Sequence, residues 1–338
     1  MKDLRDFLER IAQHPGELLT TETPVSTKFE IPRIVYKLEK QGKSPAVLFK
    51  KVQGSEYHLV TNLFGNRKRL ALALDTNEKD LNRVYREREK RLLPPKLVAS
   101  GPIQEVVLTG DQVDLTKFPI VHHNGGDVGP YITSGVTTVK DPETGIRNAG
   151  MYRFQLKGKN KMGVHLAEAS HVFYIYQKYC AKKQNMPIAV TIGAHPAFYI
   201  GSLSFCGIDT DEYEVMGGLM GEPLEIVKCK TVDLEVPAYG EICLEGYIGW
   251  EERDREGPFG EWHTLYGEPM NYPVVTITTI TMRKNPIYYD LCSGHNEHQL
   301  LGGLPRLGQI YNQVKTACPG VRDVYMPPSG FCRAACYV

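Results

Sequence analysis

The chain has 338 residues, 42% apolar and 23% charged, with a formal net charge of +1. That length predicts two or three domains of an ordinary globular protein, and the balanced charge gives no electrostatic ground for a nucleic-acid or anionic-membrane partner. No apolar run reaches bilayer length; the charged start Met1-Lys2-Asp3-Leu4-Arg5-Asp6 lacks a signal core, and eight scattered cysteines without a CxxC pair point to a reducing cytoplasm.

Leu4, Phe7, Leu8 and Ile11 recur at helical spacing and Gly16 follows, which predicts an amphipathic opening helix. A second helix has Pro32 in its first turn, with Ile31, Ile34, Val35 and Leu38 on one face and Gly42 beyond it. Strands at 46–51 and 57–61 and helices at 67–74 and 78–92 complete an α/β lobe, closed by Pro94-Pro95. After Pro102 the texture turns to short β segments divided by strong turn signals such as Asp141-Pro142-Glu143-Thr144-Gly145. Strands are predicted at 132–140, 146–156 and 162–167, then a helix at 168–182. Further strands follow at 187–193, 224–229, 241–249, 273–283 and 286–292, then a helix at 297–316 and strands at 322–326 and 331–338. The expected class is α+β: an α/β lobe over 1–102, an antiparallel barrel or sandwich with inserted helices over 103–315, and the start of a C-terminal α/β domain over 316–338. The last segment, Gly330 to Val338, stops in an apolar run without a polar tail, the pattern of a cut chain.

The densest chemical signal is Arg255-Glu256-Gly257-Pro258-Phe259-Gly260-Glu261-Trp262-His263. Its Gly/Pro interruption frees the chain to curl, so that Glu256 and Glu261 face one cavity. Paired carboxylates there would push each other's pKa values apart, leaving one as acid and one as anion. A surface loop with two solvated glutamates is the plainer alternative. Arg153, in a strand among apolar neighbours, needs a partner: Glu256, Glu261 or a substrate acid, unless it points to water from an edge strand. Asn148, His171 and Glu212 form a candidate set for a hard divalent ion such as Mn²⁺ or Mg²⁺. A turn Asn, a helix-start His and a first-turn Glu are their structural alternatives. Asn148 and Arg153 stand an odd number apart, so serving one site requires a bulge, with Gly150 the candidate. The glycine-bearing pieces His122–Pro130 and Ile200–Ser204 match neither a Walker loop nor a dinucleotide fingerprint, and no GxSxG elbow is present.

Together these pieces resemble the UbiD family of decarboxylases, from about residue 25 to the end. The resemblance rests on Asn62-Leu63-Phe64-Gly65, the Asn148 to Arg153 step, His171, Glu212, Leu224-Glu225-Ile226-Val227-Lys228-Cys229, and above all Glu256-Gly-Pro-Phe-Gly-Glu261. It implies an FMN-binding split-barrel-like domain and reversible, non-oxidative decarboxylation of an aromatic or α,β-unsaturated acid. The cofactor implied is prenylated FMN, with Mn²⁺ or Mg²⁺ on Asn148, His171 and Glu212 and a K⁺ ion nearby. Arg153 would orient the carboxylate, Glu261 donate the proton and Glu256 hold Arg153; Thr133, Gly150, Met151, Ser170, Ser202 and Ser204 would line the flavin. The implied partners are an aryl or acrylic acid, CO₂, a flavin prenyltransferase as cofactor source, and further copies of the chain. Relatives continue for a hundred residues or more, with a lysine-bearing cofactor contact, part of the pocket and a dimer helix. His298 could serve a phenolic substrate as a proton shuttle or be an ordinary helix-start residue. Two other readings remain: a cofactor-holding assembly protein without turnover, and a metal-assisted hydrolase, which gives Arg153 no role.

Overall fold

Helix α1 (Leu4–Ala12) buries the four apolar positions that define its period, and Asp3 caps it by accepting from Asp6 N. The structure, a computed structural model, describes residues 1–338. Strand β1 (Leu18–Thr21), helix α2 (Glu30–Lys40), strands β2 (Ala46–Phe49) and β3 (His58–Thr61) and helices α3 (Arg67–Ala73) and α4 (Leu81–Arg88) follow. Helix α4 starts later than its apolar period suggests because Asn77 Oδ1 accepts from Lys79 N and Asp80 N, which favours a turn there. Strand β4 (Lys96–Leu97) leaves the lobe, and β5 (Val106–Thr109) begins the second region.

That region is a barrel. Strands β6 (Tyr131–Lys140), β7 (Arg147–Leu156) and β8 (Lys161–Val164) form the expected meander, and helix α5 (His171–Ala181) leads to β9 (Met186–Ile192). Helices α6 (Pro196–Gly201) and α7 (Glu212–Met220), then β10 (Glu225–Lys228) and β11 (Glu235–Pro237), precede the two long strands β12 (Ile242–Glu256) and β13 (Met270–Met282). The order β12-β9-β6-β7-β8-β13, with β13 paired back to β12, closes six strands and leaves no open edge except where β5 adds to β13. Strands β4, β10 and β11 make a small sheet against the outer wall. Strand β14 (Ile287–Asp290) then runs parallel to β3, so the order β1-β2-β3-β14 ties the end of the barrel to the N-terminal lobe. Helix α8 (Asn296–Ala317) follows directly. One apolar cluster of 63 buried residues spans lobe and barrel, so the two pack as a continuous body.

In the glycine-bearing piece Ile200–Ser204, α6 comes to its end, and a Cβ on Gly201 would fall 2.5 Å from Met216 Cγ, so the glycine serves close α6–α7 packing. Two expectations need correction. Strand β12 runs past 249 to Glu256, after an irregular stretch between Ile248 and Arg253. No regular strands form at 322–326 or 331–338; Pro327-Pro328 and positive φ at Phe331 and Cys332 break the extended path, leaving only a Tyr325–Tyr337 bridge.

Glu297 joins lobe and barrel. Its carboxylate is fully buried and accepts from Asn62 N (2.9 Å), Phe64 N (3.1 Å) and the Tyr289 hydroxyl (2.8 Å). The Asn62-Leu63-Phe64-Gly65 turn thereby fixes the first turn of α8. Burial outweighs these donors and raises the Glu297 pKa from 4.5 to about 7. A raised carboxyl pKa stabilises the fold below 4.5, and that contribution fades as pH rises through about 7. Glu297→Gln cannot ionise and is expected to lack this decline. Denaturant midpoints measured against pH in both proteins check it, and identical slopes would contradict it.

Candidate active site

Strand β7 brings Arg153 to the barrel rim, and β12 delivers Glu256 beside it. The guanidinium grips Glu256 with both prongs, Nε to Oε1 at 3.1 Å and Nη2 to Oε2 at 2.9 Å. Its remaining nitrogen, Nη1, meets Glu261 Oε1. Gly257 takes a φ of 87°, which glycine alone adopts freely, and the Gly257–Pro258 peptide is cis. The turn is then pinned from outside. Asp127 Oδ1 accepts from Gly260 N at 2.8 Å, Val128 N donates to Pro258 O at 3.0 Å, and Ser293 Oγ donates to Gly260 O at 2.7 Å. The segment His122–Pro130 is therefore a clamp on the turn. Phe259 lies under the guanidinium, with its ring centre 5.1 Å from Arg153 Cζ. Side-chain exposure is 0% for Glu256, 14% for Arg153 and 23% for Glu261, so Glu261 is the acid that an incoming molecule can reach.

A cavity of about 340 Å³ is lined by Arg153 and Glu261 of this triad and also by Thr133, Met151, Tyr152, His165, Trp262 and His298. The bulge expected at Gly150 of β7 does not form; the register shift lies in its partner strand β6. Gly150 pairs with Thr137 in unbroken register, whereas Thr133 and Ser134 of β6 share the place opposite Arg153. By strand alternation Asn148 and Arg153 therefore point to different faces of β7, although Tyr152, on the Asn148 face, also borders the cavity.

On that second face Asn148, His171 and Glu212 come together. Ser170 caps α5, so His171 opens that helix, and Asp211 caps α7, so Glu212 opens that one. Glu212 Oε1 accepts from Asn148 Nδ2 at 2.6 Å and lies 3.9 Å from His171 Nδ1, while Oε2 accepts from Ala149 N at 2.9 Å. The Glu212 contact raises the pKa of His171 against its partial burial. Asn148 Oδ1 is buried without a hydrogen-bond partner. Turning the amide over brings that oxygen beside the carboxylate, so the three residues offer one imidazole and two oxygens to a hard cation. The donor set fits Mn²⁺ or Mg²⁺.

Among the residues expected to line a flavin, Thr133, Met151 and Arg153 face the cavity, while Gly150 lies 3.0 Å, measured from an added Cβ, behind the Tyr152 ring. Ser202 does not face it; its hydroxyl donates to Tyr199 O. Ser204 lies against Tyr85 and lines a different cavity with Cys206. Tyr152 and His165 lack any motif that marks them, Trp262 stands in the Arg255–His263 stretch, where only Glu256 and Glu261 are expected at the cavity, and Arg333 belongs to a segment read as a strand. Burial, then the nearby Arg153, lowers the pKa of His165. Burial takes His298 down to about 3, so its ring is neutral at ordinary pH. Its Nδ1 accepts from Gly294 N, which leaves Nε2–H as a donor.

Residues 96–296 match the model of the 3-octaprenyl-4-hydroxybenzoate carboxy-lyase Rift-related domain, and residues 10–89 match that family's N-terminal domain. The structure superposes on an evolved dimeric form of the UbiD-class enzyme HmfF from Pelotomaculum thermopropionicum in complex with prenylated FMN. The TM-score is 0.93 at 34% identity, covering 98% of this chain and 77% of that one. Vanillic acid decarboxylase from Sedimentibacter hydroxybenzoicus matches at 0.91 and 33% identity, over 96% and 72% of the two chains. The 3,4-dihydroxybenzoic acid decarboxylase of Klebsiella pneumoniae matches at 0.90 and 26%, over 98% and 73%. The fold and these matches define the class as that of carboxy-lyases. The chain belongs to the UbiD family.

The triad's energetics are testable by subtraction. Arg153→Leu strands the fully buried Glu256 carboxylate without its cation, and a loss of about 3–5 kcal/mol in unfolding free energy is expected. Adding Glu256→Leu should restore much of it. Urea denaturation of the two variants measures this, and additive losses would contradict the coupling.

Proposed function

We propose that this chain carries out reversible, non-oxidative decarboxylation of an aromatic or α,β-unsaturated acid, with prenylated FMN in the cavity beside Arg153. The observation that supports it best is the unequal partnership of Arg153 with its two glutamates. Nε and Nη2 are committed to buried Glu256, whereas Nη1 meets the accessible Glu261. A substrate carboxylate competes with Glu261 for Nη1. Once displaced, Glu261 loses its neighbouring cation, and its affinity for a proton rises. It then stands at the cavity as a general acid, ready to protonate the carbon that CO₂ has left. In the carboxylation direction the same carboxylate accepts that proton.

When bound, prenylated FMN supplies the electron sink for the pair released with CO₂. Asn148, His171 and Glu212 would hold Mn²⁺ or Mg²⁺, with K⁺ close by, and so offset the charge of the cofactor's phosphate. This reading requires a flavin prenyltransferase as cofactor source, and the eight free cysteines accord with a reducing cytoplasm. No helix is long and apolar enough to cross a membrane. Relatives acting on vanillic and 3,4-dihydroxybenzoic acids support an aryl acid as substrate.

The test is CO₂ release over a panel of aryl and acrylic acids after cofactor reconstitution, with mass spectrometry of the released flavin. Glu261→Gln should lower turnover by about 10²- to 10⁴-fold with flavin retained; unchanged turnover would refute the acid assignment. His171→Ala is expected to lose manganese and flavin together, read by metal analysis and flavin absorbance. Full retention of both would remove the metal assignment.

A further inference from the structure

Away from the active-site cavity, two thiols and a carboxylate meet between the barrel wall and the small sheet. Cys229, Cys243 and Glu245 bring one ligand atom each to within 4.8 Å of one another. Cys229 follows β10 and is half-buried, whereas Cys243 and Glu245 are fully buried on β12. Ladder register places Thr191 and Thr281 on either side of Cys243 and Thr279 beside Glu245, all on one face of the sheet. The hydroxyl oxygens of these three threonines are buried without hydrogen-bond partners. Such atoms are uncommon in a well-packed wall and stand here around the thiol pair.

Glu245 is oriented as a ligand would be. Lys230 N donates to Oε1 at 3.0 Å, and Thr231 N and Oγ1 donate to Oε2 at 2.7 and 2.9 Å. These donors fix the carboxylate and leave a lone pair of Oε1 free, the outer-shell support that metal-binding carboxylates have. In tetrahedral zinc sites the Zn–S distance implies sulfurs roughly 3.8 Å apart, inside the spacing seen here.

We propose that Cys229, Cys243 and Glu245 form a binding site for a thiophilic divalent cation of the Zn²⁺ class, separate from the Asn148–His171–Glu212 set. On binding, two S–H bonds break, two S–Zn bonds and one O–Zn bond form, and two protons leave to water. No electron is transferred. The threonine hydroxyls or a water supply the fourth donor. Because both thiols must lose their protons to bind the ion, binding weakens as pH falls. The bound ion would pin the small β4-β10-β11 sheet to the start of β12.

The test is titration of the chelator-treated full chain with Zn²⁺ alone, by equilibrium dialysis, and with Co²⁺, by absorbance. One tightly held ion per chain is expected at this site, with a thiolate-to-cobalt charge-transfer band. Cys229→Ser should remove the band and weaken Zn²⁺ binding at least about tenfold. Cys206→Ser, beside Glu212, should keep the band. Glu245→Gln should retain the band with weaker binding, and carries the proposal where Cys243→Ser fails to fold. Absence of the band, a band indifferent to Cys229→Ser, or a Cys229–Cys243 disulfide in protein purified under reductant would overturn it.

Discussion

A carboxylate withdrawn entirely from water must meet a cation or keep its proton, and Glu256 is in that position at the rim of the barrel. Arg153 answers it with a bidentate contact, the geometry that best offsets desolvation of both groups. The contact fixes the end of β12 against β7, the turn after it, and hence the place of Glu261. The ion pair is a geometric datum for the site. Its partners are not interchangeable: the buried glutamate sets where the cation sits, and the exposed one remains free to change partner.

Barrel closure makes that datum reachable. Strands β12 and β13 pair along most of their length, lose register between Ile248 and Arg253, and regain it so that Glu256 arrives opposite Met270. The bulge at Thr133–Ser134 re-aims β6 opposite Arg153. Glu261 would still be mobile on a bare glycine turn. Asp127, Val128 and Ser293 remove that freedom with three hydrogen bonds from two separate segments. The turn is thus preorganised by its neighbours, which lowers the reorganisation needed when charge shifts nearby.

Much of this was legible in the residues because local pattern and burial agree. The apolar periods of α1 and α2 name their buried faces, and the turn cluster at 141–145 divides β6 from β7. Where pattern and burial part, reading fails. Residues 251–255 are charged and exposed, so they look like a solvated loop although they continue β12 to Glu256, where the strand becomes buried again. The C-terminal segment is apolar enough for a strand, but its prolines and left-handed residues forbid one. The motif around Glu256 announces the acids, but which of them Arg153 holds depends on a strand pairing more than a hundred residues distant. The bulge escaped because it lies in β6, beside Gly135, and not in the strand whose Asn148–Arg153 spacing called for one. Ser202 and Ser204 are suitable flavin contacts by residue type, yet the helical end of α6 turns Ser202 inward.

The cavity's remaining polar groups divide by charge. His298 is neutral and presents an N–H, because Gly294 N occupies its other nitrogen. Arg333 lies over Trp262, 4.5 Å from the ring centre, and has no carboxylate partner. Burial brings its pKa down to about 10, still well above neutral pH, so it remains cationic. The triad sets one cation against two carboxylates, whereas His298 and Arg333, which line the same cavity, add one neutral donor and one cation without a carboxylate partner. Leu203, Phe259 and Leu301 form part of the apolar lining of the same cavity. In the proposed decarboxylation the acid group exchanges with Glu261 at Arg153, and His298 and Arg333 are the groups left to sort the remaining polar substituents by hydrogen bonding and charge.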